Sequence, residues 1–266
     1  MHRAARVLDR ALAGHVSIVR VHWPALRAWS KRLSGQTVLN VETRGKALLV
    51  HFSNEQSLYA HNQLYGEWRV QRPNSAPHAS KALRVEIESP RAVARLYSAT
   101  DIQILATDQV EAHPYVAKLG PDLLASTTTL AIVRAQVDSA RFARRALWSL
   151  LLDQGFLAGI GNNLRSEILF LARLHPNQKL GALDAAARER LSTTALKVAR
   201  RSLATGGITN EPARAAALKA AGWSHARYRH WVFDRPGKAC HVCTETIARV
   251  DVGGRAIFWC AGCQER

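Results

Sequence analysis

Residues 240–263 read CHVCTETIARVDVGGRAIFWCAGC, in which two Cys-x2-Cys turns are separated by sixteen residues. A Cys-x2-Cys turn lets two thiolates converge on one ion, and two such turns supply the tetrahedral sulfur set that zinc takes. Disulfides are the alternative, but they are rare in a reducing compartment. The pattern therefore predicts one structural Zn²⁺, closed off from catalysis by four sulfur ligands, on Cys240, Cys243, Cys260 and Cys263.

Between the two cysteine pairs, the sequence predicts a hairpin around residues 250–258, with Arg255 near the tip of that hairpin. Taken alone, an arginine at such a position is a solvated tip. Because it carries all four cysteines, the piece from about Pro236 onward is predicted to be a separate small ribbon, residues 236–266.

The first hundred residues alternate with a period of two after an opening helix. Ala4, Val7, Leu8 and Ala11 recur at helical spacing, and Gly14 follows as a stop. Candidate strands then lie at 17–22, 37–43, 47–52, 57–60, 68–71, 83–88, 93–98 and 102–105. Many short strands with hairpin-length connections predict an antiparallel sandwich or barrel over residues 1–112.

After Pro114 the pattern becomes helical, and residues 113–235 are predicted to form a helical domain. The predicted helices cover 128–137, 141–157, 162–174 and 184–203. The fold class is therefore α+β with several domains: an N-terminal β-sandwich with flanking helices, a helical domain and the zinc ribbon.

The segment Leu-Ala-Gly-Ile-Gly-Asn-Asn-Leu-Arg, residues 157–165, joins two of these helices. Gly159 and Gly161 allow tight backbone angles and the close approach of a ligand. Asn162 is predicted to cap the following helix and to leave its first amides free for a phosphate. The alternative is an ordinary helical hairpin capped by Asn162, and the spacing alone favours that alternative.

Two further motifs lie on the strand-rich part. Lys46 follows a glycine between two predicted strands. It is either a surface charge or a reactive amine. Gln63-Leu64-Tyr65 lies in a turn, either as core residues at a strand end or as an exposed triplet that wedges into a base stack.

The charge is strongly unbalanced, with 37 Lys+Arg against 20 Asp+Glu, a formal net charge of +17 and a pI near 10.7. Both halves carry the excess: 15 basic and 6 acidic residues lie in 1–100, and 22 and 14 lie beyond. Such a distribution favours a polyanion, nucleic acid above all, contacted from two sides. A basic surface tuned for solubility is the simpler alternative.

The composition also excludes several classes of protein. A hydrophobic fraction of 47% is too high for a disordered chain, and no apolar run reaches the length of a bilayer span. The N-terminus lacks the apolar core of a signal peptide. We therefore expect a cytoplasmic protein, with no signal of oligomerisation.

Together these motifs resemble the formamidopyrimidine-DNA glycosylase and endonuclease VIII family of bifunctional base-excision repair enzymes. The resemblance runs through the first helix, residues 42–49, a helix–two-turn–helix at 159–176 and the ribbon that ends in Phe258-Trp259-Cys260. It implies a monomeric, nucleoid-associated DNA glycosylase and abasic-site lyase. Its partner would be double-stranded DNA containing oxidised bases or abasic sites.

The resemblance also implies roles for individual residues. Lys46 matches the lysine implicated in proton donation during β-elimination, and Arg255 matches the ribbon arginine assigned to δ-elimination and phosphate binding. Asn162 matches a phosphate ligand, and Lys118 falls where relatives carry a basic DNA contact. Gln63-Leu64-Tyr65 resembles the void-filling wedge of the endonuclease VIII branch, which implies oxidised pyrimidines as substrates.

The first residues depart from the family pattern. Family chains begin Met-Pro-Glu-Gly, and the proline amine exposed by methionine removal attacks the sugar with the glutamate as acid. The present sequence begins Met1-His2-Arg3, already inside the first helix, and holds neither residue at that place. A start assigned too late in a longer protein is the favoured explanation, because the other parts are complete. The alternative is a short protein that binds damaged DNA without catalysis.

A more remote alternative is a zinc-ribbon protein of the translation apparatus that binds RNA. Trapping of an imine with borohydride separates these hypotheses, since only an active enzyme becomes cross-linked to abasic DNA.

Overall fold

The computed structural model describes residues 1–63 and 65–264, which form two compact units. The first unit is Met1–Lys118, and the second begins at Leu119 and includes the ribbon. Leu64 of the predicted wedge and residues 265–266 lie outside the described residues. The finer division at 112 and 235 stays a prediction.

The first unit is rich in strands. In chain order it contains α1 (His2–Leu12), β1 (Ile18–Val21), α2 (Trp29–Leu33), β2 (Val38–Arg44), β3 (Ala47–Phe52), β4 (Gln56–His61), β5 (Glu67–Gln71), β6 (Leu83–Glu88), β7 (Val93–Tyr97) and β8 (Asp101–Ala106). Within the described residues these strands form two antiparallel four-stranded sheets, β1-β6-β7-β5 and β2-β3-β4-β8. Each of the eight predicted strands is confirmed to within one residue at either end.

The two sheets share one apolar core, which makes the unit a sandwich. Leu48, Val50 and Phe52 of β3 pack in the same cluster as Val85 and Ile87 of β6. The apolar stripe of α1 closes this core with Ala5, Leu8 and Leu12. Because side chains alternate along a strand, the intervening residues of β3 face the other way.

That outer face of β3 is covered by the segment that follows β8. Ala47 and Leu49 form a second, smaller cluster with Tyr59, Val110 and Val116. Short 3-10 turns at Thr107–Gln109 and Val116–Lys118 shape this covering segment. Its residues therefore lie against the strand that begins one residue after Lys46.

The second unit is helical before the ribbon. Its elements are α3 (Leu130–Val137), α4 (Leu147–Leu150), α5 (Asn162–Leu171), α6 (Ala185–Ala204), α7 (Pro212–Ala220), α8 (His225–Tyr228), β9 (Ile247–Val252) and β10 (Arg255–Cys260). The helices predicted at 128–137, 162–174 and 184–203 are confirmed. The carboxylate of Asp184 accepts the Ala187 N–H at 2.7 Å and caps α6.

The continuous helix predicted over 141–157 is wrong. The structure has a 3-10 turn at Ala140–Phe142, the one-turn α4, and turns beyond it. The N–H groups of Leu147 and Trp148 donate to the carbonyls of Gln178 and Pro176 instead of to the preceding helical turn. Tertiary hydrogen bonds have therefore replaced the helical ones that the apolar spacing favours.

The ribbon consists of β9 and β10, paired in register from Arg255 opposite Val252 to Cys260 opposite Ile247. Gly253 and Gly254 connect them with φ angles of +58° and +73°. A two-residue hairpin turn with two positive φ angles favours glycine at both positions, which explains this pair. Across the described part of the chain, no helix has the length and apolar character to span a bilayer.

Candidate functional site

Lys46 lies at the tip of the β2–β3 hairpin and is half-buried. Arg44 pairs with Ala47 across the hairpin, and the buried Gly45 between them has a φ of +56°. The Lys46 N–H donates to the Tyr115 hydroxyl at 2.9 Å. The hairpin thus presents a lysine side chain on a backbone that is held from the covering segment.

The start of α1 lies beside the same hairpin. The His2 ring is 3.1 Å from the Thr43 hydroxyl, and the Asp9 carboxylate accepts the Val41 N–H at 2.8 Å. The first helix is therefore fixed along β2, and its first residue, His2, contacts Thr43, which lies two positions before Gly45 in the hairpin.

The predicted wedge follows β4, the neighbour of β3. Gln63 is exposed with a φ of +51°, and its side-chain carbonyl accepts the Thr100 hydroxyl at 2.7 Å. Tyr65 is 76% exposed, the largest exposed fraction among the exposed large hydrophobic side chains of the described residues. A Cβ on Gly66 would lie 2.5 Å from the Asn62 carbonyl oxygen, so this tight loop requires a glycine.

The loop and the hairpin lie at the same end of two paired strands, since His61 is opposite Ala47. His61 is half-buried, its Nδ1 accepts the Gln63 N–H at 3.1 Å, and its ring is edge-on to Tyr115. Burial lowers the pKa of His61, and the positive charge of Lys46 contributes in the same direction while Asp101 opposes it. His61 therefore favours the neutral state that accepts from the loop.

Lys118 ends the 3-10 turn Val116–Lys118 and is exposed, while Val116 beside it is buried in the cluster with Tyr59. The turn is thus anchored by its first residue, and its last residue presents a charge to solvent.

Asn162 is not the cap of α5, contrary to the prediction. Gly161 occupies the cap position with extended angles, and Asn162 is the first helical residue. Its side-chain oxygen instead accepts from the Arg165 guanidinium at 2.5 Å. The helix begins at residue 162 as predicted, and its cap is one residue earlier than predicted.

Arg165, which the sequence analysis did not single out, is fully buried at the start of α5. It donates to the carbonyls of Trp148 at 3.0 Å and Ala256 at 2.8 Å, in addition to Asn162. Burial and the nearby charge of Arg255 lower the pKa of Arg165 to about 10. It therefore remains charged at neutral pH and joins Asn162 to the strand that begins with Arg255.

The next two residues of α5, Ser166 and Glu167, bind the ribbon and the segment just before it, respectively. The Ser166 hydroxyl accepts the Phe258 N–H at 3.2 Å. The buried Glu167 carboxylate accepts N–H groups at 2.9, 2.8 and 2.8 Å from Trp231, Val232 and Phe233. Burial raises the pKa of Glu167, and these donors act in the opposite direction. Three consecutive polar residues inside an apolar helix were the signal in the sequence that could have identified this joint.

Arg255 is the first residue of β10, directly after the Gly253-Gly254 turn, and it is exposed. Because Ala256 and Phe258 of the same strand are held by Arg165 and Ser166, the arginine stands at the end of a fixed strand.

The four cysteines form one cluster that could bind a metal ion. Their sulfur atoms all lie within 4.8 Å of one another. The Cys243–Cys260 and Cys240–Cys263 sulfur pairs are 3.3 and 3.9 Å apart, too far for a disulfide. Tetrahedral zinc–sulfur bonds of about 2.3 Å place sulfur atoms about 3.8 Å apart, so the geometry and the donor set both fit.

The chain is thus basic and presents Lys46 on a hairpin, the exposed ring of Tyr65 in a loop, and Arg255 on the ribbon that carries the four cysteines. Comparisons with known proteins give the class. Residues 1–100 match the formamidopyrimidine-DNA glycosylase N-terminal domain, and residues 119–213 match the formamidopyrimidine-DNA glycosylase H2TH domain. The class is therefore a DNA glycosylase.

Relatives narrow the class further. Endonuclease 8 of Shigella sonnei is 40% identical and Endonuclease 8 of Escherichia coli O7:K1 is 41% identical, each over 99% of this chain and 97% of the relative. The chain belongs to the formamidopyrimidine-DNA glycosylase and endonuclease VIII family. Members of this family are DNA glycosylases and abasic-site lyases of base-excision repair, and the chain is one of them.

The fold agrees with a solved structure. Lactococcus lactis Fpg, solved in complex with abasic-site DNA, superposes with a TM-score of 0.81 over 99% of this chain and 97% of that chain. At 21% identity, this similarity bears on the fold alone.

Proposed function

We propose that this chain removes oxidised pyrimidines from double-stranded DNA and cuts the strand at the abasic site by β,δ-elimination. One observation carries the proposal: Lys46 and the loop of Gln63 and Tyr65 lie at the same end of the paired strands β3 and β4. An amine beside an exposed aromatic wedge suits an enzyme that flips a base and acts on its sugar.

In this proposal the loop fills the space that the flipped base leaves. Gln63 and Tyr65, together with Leu64 outside the described residues, form the wedge. The exposed ring of Tyr65 supplies apolar surface that would stack in place of the lost base. The choice of oxidised pyrimidines over purines follows from the resemblance of this wedge to that of the endonuclease VIII branch, and the relatives carry the name Endonuclease 8.

The proposed chemistry starts when an amine attacks C1′ of the sugar. The N–C1′ bond forms as the glycosidic bond breaks, and the base leaves with the electron pair and takes up a proton. The C1′–O4′ bond of the sugar ring then breaks, O4′ takes up the proton that the amine nitrogen loses, and the C1′=N bond of the imine forms. Loss of a proton from C2′ then expels the 3′ phosphate, and a second elimination expels the 5′ phosphate. Water releases the sugar fragment from the amine. Lys46, as an ammonium, donates a proton during the first elimination.

Three residues are proposed to contact phosphates. Lys118 and Arg255 are exposed cations, each next to a buried or hydrogen-bonded neighbour that fixes its backbone. Asn162 lies at the first turn of α5, where free backbone amides and the helix dipole favour an anion. Arg255 additionally assists the second elimination.

The cysteine cluster is proposed to hold one structural Zn²⁺ that fixes the ribbon and, through it, Arg255. The Cys260→Ser variant removes one thiolate, so we expect it to lose stoichiometric zinc in metal analysis and to bind DNA more weakly. Val242→Ala changes an exposed side chain in the other Cys-x2-Cys turn and should keep both. Full zinc and full affinity in Cys260→Ser would contradict this role.

Imine trapping tests the catalytic proposal. The attacking amine in the family is an N-terminal proline, so the assay compares the 266-residue chain with an extended chain in which Met-Pro-Glu-Gly-Pro-Glu precedes His2. Borohydride should cross-link the extended chain to duplex DNA bearing an abasic site, and the same chain should release oxidised pyrimidines. Affinity for damaged duplex without any cross-link would instead identify a binding protein.

Lys46→Ala in the extended chain should lower turnover more than binding, which is the effect of a group acting mainly in the transition state. Lys31→Ala removes an exposed lysine of α2 and should change neither. We also propose that the protein acts as a monomer and that it is associated with the nucleoid in the cytoplasm.

A further inference from the structure

Two contacts hold the lysine hairpin against the covering segment, one on each side of Gly45. Before the glycine, the Arg44 guanidinium donates to the Glu111 carboxylate, with Nε–Oε1 at 2.9 Å. After it, the Lys46 N–H donates to the Tyr115 hydroxyl at 2.9 Å. A glycine with a positive φ is a natural pivot, so these two contacts set the direction of the hairpin tip.

The Tyr115 ring is itself held by the loop side of the site. Its centroid lies 5.0 Å from the His61 ring at an interplanar angle of 69°, and 6.4 Å from the Tyr59 ring. His61 in turn accepts the N–H of Gln63, the first residue of the wedge. A single tyrosine therefore contacts both the backbone of Lys46 and the residue from which the loop begins.

We propose that Tyr115 is a positioning residue for Lys46. Its hydroxyl fixes the lysine's peptide plane and hence the direction in which the side chain leaves the hairpin. The His61 ring and the packed outer face of β3 keep the hydroxyl aimed at that N–H. The proposal rests on the proposed function, because it assigns Lys46 the proton transfer that needs this alignment.

The Tyr115→Phe variant removes one oxygen atom and keeps the ring against His61. A matched control exists within the same unit: the Tyr97 hydroxyl accepts the backbone N–H of His78 at 3.1 Å, away from the hairpin. Tyr97→Phe makes the same chemical change to the same kind of hydrogen bond. Equal shifts of the thermal midpoint in the two variants would show that both fold alike.

The first readout needs no activity. In the 266-residue chain, amide hydrogen exchange of Lys46 should accelerate in Tyr115→Phe and stay at the wild-type rate in Tyr97→Phe. Unchanged exchange at Lys46 in Tyr115→Phe would overturn the proposal, because the hydroxyl would then not be holding the backbone.

The second readout separates the chemical steps in the extended chain. Misplacement of a catalytic group by about 1 Å can cost on the order of 100-fold, so we expect strand cleavage by Tyr115→Phe to slow by about tenfold. The rate of borohydride trapping should stay within about twofold of wild type, because imine formation does not depend on Lys46 alignment. Tyr97→Phe should change neither rate.

Parallel losses of trapping and cleavage in Tyr115→Phe, or a normal cleavage rate, would overturn the positioning role. Absence of trapping and cleavage in the wild-type extended chain would instead refute the proposed function. The amide-exchange comparison would then decide by itself whether Tyr115 holds Lys46.

Discussion

Arg165 shows at the scale of one residue how a buried cation organises two candidate phosphate ligands. It donates to the Asn162 side chain and to the Ala256 carbonyl, the residue after Arg255. A fixed guanidinium fork serves these acceptors at once, which a lysine ammonium of different shape does not. Arg165→Lys should therefore weaken DNA binding, and most of this loss should vanish when Asn162 is already alanine.

A double-mutant cycle of Asn162→Ala with Arg165→Lys should give a coupling of roughly 0.5–3 kcal/mol in binding free energy. Arg200→Lys is the control, because Arg200 on α6 also donates to a backbone carbonyl, that of Thr128, at 2.7 Å. Its effect should add to that of Asn162→Ala. Strict additivity in the Arg165 cycle would disprove the link.

His61 gives the site a dependence on pH. Burial, reinforced by Lys46 and opposed by Asp101, lowers its pKa in the folded protein, whereas a histidine in the unfolded chain titrates near 6.5. As the pH falls through about 6.5, the unfolded chain binds a proton that the folded protein still excludes, so stability decreases. This contribution to stability is fully present at higher pH.

His61→Asn keeps a hydrogen-bond acceptor for Gln63 but does not titrate. Between pH 7.5 and pH 5, we expect the urea midpoint of this variant to fall less than the urea midpoint of wild type. His22→Asn, at an exposed histidine of the same unit, should follow the wild type. Identical pH profiles for His61→Asn and wild type would refute the assignment.

At the scale of the element, the loop after β4 is separable from the chemistry of the hairpin after β2. Tyr65 projects into solvent, and Gly66 permits the tight turn behind it. Unstacking a base costs a few kcal/mol, so Tyr65→Ala in the extended chain should slow the release of oxidised pyrimidines from duplex DNA. Abasic sites in single strands need no base to be displaced and should be processed at nearly the wild-type rate.

Tyr65→Phe keeps the aromatic ring and serves as the control, with rates on both substrates close to wild type. If Tyr65→Ala slowed single-strand and duplex processing equally, the loop would be shaping the site rather than filling the helix.

At the scale of the whole molecule, the net charge of +17 is spread over both halves of the chain. DNA binding should therefore weaken steeply with salt, because neutralised phosphates release counterions. Lys118→Ala should reduce the slope of log affinity against log salt by about one, whereas the uncharged change Asn162→Ala should lower affinity with little change in slope. A wild-type slope in Lys118→Ala would remove Lys118 from the phosphate contacts.

Local sequence patterns were sufficient to predict the strands, the first helix and the cysteine cluster. Period-two alternation placed all eight strands of the sandwich, and helical spacing placed α1. The spacing of the two Cys-x2-Cys turns identified the cysteine cluster, whose sulfurs the structure brings within 4.8 Å. These features follow from residues close together in the chain. The periodicity of a strand or helix sets the face on which each side chain lies, and the Cys-x2-Cys spacing brings two thiolates together.

Only the tertiary structure decided which hydrogen bonds each polar group makes. The segment 141–157 has helical spacing, yet the N–H groups of Leu147 and Trp148 pair with residues 176 and 178. Asn162 has the chemistry of a cap, yet Arg165 takes its side-chain oxygen. Tyr115 reaches Lys46 across 69 residues of sequence. Partners so far apart in the chain are brought together by the packing of the core, and a local pattern carries no information about them.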